Sequence, residues 1–161
     1  MSKPYQYLHT TEKTPQQSAS EAMHLLSIIG ASNISMDFSN GELVGMTFQV
    51  RLGERVIAYR LPVRCENIAK TLLAIEAKKT TYWRRKEIVA KKVAEQAKRT
   101  AWRLMLEWLK VQTAFVENGV RHPAEVFLAD MIVKTGDGIE TTVGTMMLEH
   151  GSLPLLGSAS A

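Results

Sequence analysis

One run of residues constrains this chain more than any other. Ala90, Ala94, Ala97, Ala101, Leu104, Trp108, Val111 and Phe115 follow one another at alternating spacings of four and three, the signature of a single helical face. Asn118-Gly119 supplies the usual stop. The pattern predicts one helix over residues 84–118, about 50 Å long at 1.5 Å per residue. A domain of 161 residues cannot cover such a rod, so its two halves need different neighbours. Residues 102–109 are apolar nearly all round and belong in a core. Residues 84–99 are apolar only along the alanine seam and charged elsewhere. Small seam residues allow close helix approach, either within the fold or with a second copy. Ile88 and Leu106 are expected to stand exposed on the far side.

The segments before and after set the fold class. Thr14-Pro15-Gln16-Gln17 reads as a helix start, with Thr14 as N-cap and Gln17 three residues on. Ala22, Leu25, Leu26 and Ile29 share one face, and Gly30 closes the helix. Ile34, Met36 and Phe38 then alternate with polar residues up to Asn40-Gly41, a strong hairpin signal. Val44, Met46, Phe48 and Val50 continue in phase. After Gly53-Glu54, the residues Ile57, Tyr59, Leu61 and Val63 share a face, with Pro62 at the strand's end or edge. Ile68, Leu72 and Ile75 mark a helix over 66–79, followed either by a break at Thr80-Thr81 or by direct continuation. His122-Pro123-Ala124-Glu125 starts a short helix carrying Val126, Phe127 and Met131. Residues 134–138 form a turn, and 139–149 read as a last amphipathic helix. The expected architecture is α+β, a three-stranded antiparallel meander preceded by one helix and covered by long C-terminal helices. A single domain over 14–150 lies between a flexible lead-in, 1–13, and a flexible tail, 151–161.

Composition and motifs exclude more than they assign. With 45% apolar and 22% charged residues the chain sits near the globular average, not among disordered ones. One cysteine, Cys65, rules out a disulfide framework or a Cys-rich metal site. No apolar run approaches the roughly 18 residues of a membrane span, and the N-terminus lacks a signal-peptide core. A cytoplasmic protein with no membrane partner is expected. His9, His24, His122 and His150 are scattered, with none at the spacing of a helical metal site. No glycine-rich loop follows a strand and opens a helix. Cys65 lies between a strand and a helix start, where a thiol can be activated, but no partner base is identifiable. Asp37 and Glu42 flank the hairpin as solvated turn residues. No catalytic activity, cofactor or metal is therefore expected.

Charge is the informative feature. Residues 65–112 carry twelve Lys/Arg against five Glu, a net +7 in a chain whose total is +4. A basic segment on an otherwise slightly acidic protein is the footprint of a phosphate-binding surface. Arg85, Lys92 and Arg99 are seven apart, as are Arg103 and Lys110. On an ideal helix all five project within about 40° of one another, over about 37 Å, roughly opposite the alanine seam. Tyr82, Trp83 and Arg84 place two aromatics beside cations at the helix start. Such a cluster offers stacking to bases and charge to a single-stranded backbone. The leading expectation is binding of single-stranded or non-specific nucleic acid, with Arg85, Lys92, Arg99, Arg103 and Lys110 on phosphates and Tyr82, Trp83 and Arg84 at the bases. The rival is a protein-interaction or self-assembly module, possible as a homo-oligomer or with another protein, working through the long helix.

The element order is similar to that of double-stranded-RNA-binding domains and of single-strand annealing proteins, whose signature residues are missing here. A closer likeness runs through Gly30-Ala31, Tyr59-Arg60-Leu61-Pro62-Val63, Gln96-Ala97, Ala101-Trp102-Arg103, Trp108-Leu109 with Gln112, and Glu125-Val126-Phe127-Leu128. With these the chain resembles a family of small, functionally unassigned proteins encoded in bacteriophage and prophage genomes. The resemblance covers residues 22–128; beyond it Ala129-Asp130 stands where the family continues with proline and an aromatic. It implies a phage-derived protein, and by extension a role in phage replication or recombination, but no activity of its own.

Overall fold

Thr14 opens the first helix, α1 (Pro15–Ile28), with a reciprocal cap. Its Oγ1 accepts from the Gln17 amide at 3.2 Å, while Gln17 Oε1 accepts from the Thr14 amide at 2.9 Å. Two of the helix's orphan donors are thereby satisfied. Gly30, at φ +81°, turns the chain into β1 (Ala31–Ser39). Asn40 and Gly41, both at positive φ, form the tight turn that leads into β2 (Glu42–Leu52), and β3 (Arg55–Pro62) completes an antiparallel sheet of order β1-β2-β3. The computed structural model describes residues 10–79 and 85–150 of this α+β chain. The helices α2 (Glu66–Glu76) and α3 (Lys86–Glu117) follow. After α4 (Pro123–Val126) come a 3₁₀ turn (Leu128–Asp130), a small hairpin of β4 (Ile132–Lys134) and β5 (Glu140–Thr142), and α5 (Val143–His150).

One face of the meander is the core. Met46, Phe48 and Val50 of β2 and Tyr59 and Leu61 of β3 pack against Ala19, Ala22 and Leu26 of α1 and Trp102, Leu106 and Leu109 of α3. Phe127 enters from beyond α4, edge-on to Phe48 and Tyr59 with ring centroids 5.3 and 5.9 Å away, and these two stack at 5.3 Å. Burial of these large apolar groups is what the fold gains.

The β1–β2 register shifts twice, between Ser32 and Ser35 and again between Asp37 and Phe38. Asp37 pairs with Gly45 but Phe38 pairs with Leu43, leaving Val44 unopposed as a bulge. The extra residue brings Leu43 onto the core face opposite Phe38 and leaves Val44 out of the alternation at 38% exposure, while Phe38, near the end of β1, stays 59% exposed. The expectation that Val44 continues the inner-face alternation is corrected accordingly, and Phe38 keeps its face without being buried. Gly45 beside the bulge is obligatory: a Cβ there would lie 2.7 Å from the Leu61 carbonyl oxygen, backbone against backbone.

Three other expectations change. Residues 139–149 are not one helix, because 140–142 pair with β4, and Thr142 Oγ1 accepts the Thr145 amide at 3.2 Å to start α5. α2 ends at Glu76, short of 79, so α2 and α3 are separate helices packed on each other. The break expected at Thr80-Thr81 lies outside the described residues. The end of the lead-in is held rather than loose: the Thr11 carbonyl accepts from Gln96 Nε2 at 3.1 Å and Lys13 pairs with Glu21.

Candidate functional site

α3 runs 32 residues between Arg85 as N-cap and Asn118 as C-cap, and it is buried on two different sides. Val93, Ala97, Thr100 and Ala101 are buried first, then Trp102, Leu106, Leu109 and Thr113. At 100° per residue these two sets lie roughly opposite each other around the axis. The N-terminal half faces α2, and the C-terminal half faces α1 and the sheet. Leu106 is thus fully buried, not exposed as its heptad position implies, while Ile88 is exposed. Conversely, Val111 is 52% exposed, and Trp108 and Phe115 also reach solvent. A stretch apolar all round cannot by itself choose a face, and here tertiary neighbours choose it.

The cationic stripe runs between these two buried flanks. Arg85 and Lys92 are exposed and Arg99 is half-buried; none of the three has an ion pair among the described residues. Arg103 and Lys110 differ, because both close on Glu107, at 2.7 and 3.1 Å. They also face Glu21, whose carboxyl is held below its ordinary range chiefly by the hydrogen bond from Lys13, with Lys110 and Arg103 adding to it. The unmatched ridge is therefore shorter than the sequence suggests, about 21 Å from Arg85 to Arg99. Tyr82, Trp83 and Arg84 lie outside the described residues.

Sequence spacing missed Lys91, which is off the seven-residue repeat. It is exposed and, with Lys92, Glu95, Gln96 and Arg99, lines a shallow cavity of about 420 Å³ on α3. The acid in that set is already engaged: Glu95 bonds Lys98 at 3.3 Å, and Lys98 is held on its other side by Glu42 at 2.6 Å. Glu42 is the main reason the Lys98 ammonium titrates above its ordinary value. One Lys98 serves two carboxylates, so this trio keeps a net charge of about −1, yet Lys91, Lys92 and Arg99 outnumber it and leave the surface positive, the local condition for drawing in an anion.

No protein family, curated protein or solved structure matches the chain. Function must be read from the residues themselves. Among the described residues no helix is long and apolar enough to cross a membrane, and no three His, Cys, Asp or Glu side chains gather as a metal site. Cys65 stands at the N-cap of α2, yet burial, followed by the neighbouring Glu66, pushes its thiol up rather than toward thiolate. His122 is a cap: its Nδ1 accepts from the Ala124 amide at 3.3 Å, with Glu125 returning a bond to the His122 amide.

Asp130 is a second group the sequence did not flag. It lines a groove of about 330 Å³ with Leu61, Arg64, Ile68, Met105 and Trp108. Desolvation raises its carboxyl from 3.8 to about 6. The native state thus binds this proton more tightly than the unfolded chain. Stability is greatest where both states are protonated, declines as pH rises through 6, and stays reduced above. Asp130→Asn is expected to stabilise the protein by about 1 kcal/mol near pH 7.5, after allowance for partial exposure, and by almost nothing near pH 4. Thermal melts of both proteins across that range measure it.

Proposed function

We propose that the protein binds nucleic acid, single-stranded or without sequence preference, along the N-terminal half of α3, in phage replication or recombination. One observation carries the reading. Among the cations of α3, Lys98, Arg103 and Lys110 are matched by carboxylates, whereas Arg85, Lys91, Lys92 and Arg99 have no ion pair among the described residues. An unmatched row about 21 Å long stores unfavourable self-repulsion that a polyanion relieves. Successive members of the repeat stand about 10 Å apart, so each can take a different phosphate of one flexible strand.

Fluorescence anisotropy of a labelled oligothymidylate tests this. Three to four phosphate contacts predict log K falling against log salt with a slope of about −2 to −3, at about 0.7 per contact for single strands. Absence of binding, or binding indifferent to salt, would defeat the reading. The second reading, a protein-interaction or self-assembly surface, draws on the exposed row Trp108, Val111 and Phe115 at three- and four-residue spacing. Light scattering on the same samples separates the two. A monomer that binds the oligonucleotide favours the first; a stable oligomer indifferent to it favours the second.

A further inference from the structure

The apolar cleft between α2 and α3 lies beside the cationic surface, and its lining suggests what it holds. Leu72 and Ile75 of α2 and Val89 and Val93 of α3 wall a cleft of about 430 Å³, with Lys92 and Gln96 at its mouth. Lys92 and Gln96 also line the basic cavity containing Lys91 and Arg99. The two depressions therefore adjoin, with Lys92 and Gln96 between them. α2 meets α3 without burying any of its own eleven residues fully, and Ile75 remains 43% exposed. A helix whose apolar side is left this open has room for something else between it and its neighbour.

Charge decides the occupant. The two acids at the margin are engaged, Glu76 with Lys79 and Glu95 with Lys98, so the rim is positive. An uncharged apolar side chain gains nothing from that rim. A flat apolar ring carrying a phosphate gains from both walls and mouth. Gln96 is oriented by its bond to the Thr11 carbonyl, which leaves its Oε1 as an acceptor for a base N–H such as the N3–H of thymine. The volume falls at the small-ligand end of the pocket range. Resting on the function proposed above, we infer that this cleft receives one unstacked nucleobase of a bound single strand, with the adjoining phosphate on Lys91, Lys92 and Arg99. A duplex keeps its bases stacked and offers none to the cleft.

The test compares an oligothymidylate with an oligomer of the same length whose sugars carry no base, by anisotropy at one salt concentration. The intact strand is expected to bind about tenfold tighter than the abasic one, the low end for a base gaining a stacking or apolar partner. Ile75→Gln, at an exposed position, should bring that ratio near unity and leave abasic binding unchanged; Val89→Gln, on the facing helix, should do the same. Equal affinity of the wild-type protein for both oligomers overturns the base site while leaving the cationic reading intact. A preference that survives both substitutions overturns it as well. Failure of both oligomers to bind overturns the underlying function instead.

Discussion

With Arg85, Lys92 and Arg99 all changed to alanine, affinity for a single strand at about 0.1 M salt is expected to fall about a hundredfold. The reasoning is counterion release. Each phosphate contact contributes about 0.7 to the slope of log K on log salt, so three contacts account for about two units of slope. The variant's salt plot should flatten by that amount, and this signature separates lost phosphate contacts from a general loss of fold. Stability should change by only about 0.5 kcal/mol or less per residue, since none of the three holds an ion pair among the described residues. Arg103→Ala with Lys110→Ala is the informative control. Both cations already face Glu107, so their removal should alter the slope far less. If the double variant loses as much as the triple one, the distinction between matched and unmatched cations is wrong.

The largest expected loss of stability belongs to Trp102→Ala, about 3–5 kcal/mol. Trp102 is 2% exposed, and its indole N–H donates to the Leu43 carbonyl at 3.3 Å. It therefore fills the space between α3 and the sheet and also satisfies a carbonyl beside the β2 bulge. Truncation leaves both a cavity and an unpaired acceptor. Trp108 is partly exposed and meets Phe127 edge-on at 5.9 Å; Trp108→Ala should cost much less. Chemical denaturation of the two variants side by side gives the comparison. Similar losses for both would mean that the outer row of α3 carries as much of the core as the inner one.

Where local chemistry decides conformation, the sequence was legible. Thr14 with Gln17, Asn40-Gly41 and the alternation of 46, 48 and 50 each satisfy their own hydrogen bonds or bury their own face. The α+β order follows from them. Legibility failed where two elements compete for a residue. The bulge at Val44 depends on how β1 meets β2, and nothing in the strand itself announces it. The buried line of α3 switches sides because α2 and the sheet lie on different flanks, a fact no heptad count contains. Of the site, the seven-residue cation repeat was visible. Its division into matched and unmatched members was not, because Glu107 lies four residues from Arg103 and three from Lys110 and could equally have pointed to solvent. Asp130 joined its groove through tertiary packing, whereas Lys91 sits beside Lys92, Glu95, Gln96 and Arg99 by i, i+4 and i+8 spacing along α3, which a seven-residue count passes over.

The exchange of buried sides within α3 has a consequence for phasing. Thr100 and Ala101 belong to one contact and Trp102 to the other, so the count of residues at that junction sets how far the cationic half is rotated relative to the sheet. One residue more or fewer there would turn the ridge by about 100°, swinging Lys92 from its place beside α2 while every local motif stayed intact. The helix behaves as an indexed shaft, in which the arithmetic of a single turn aims one end by gripping the other.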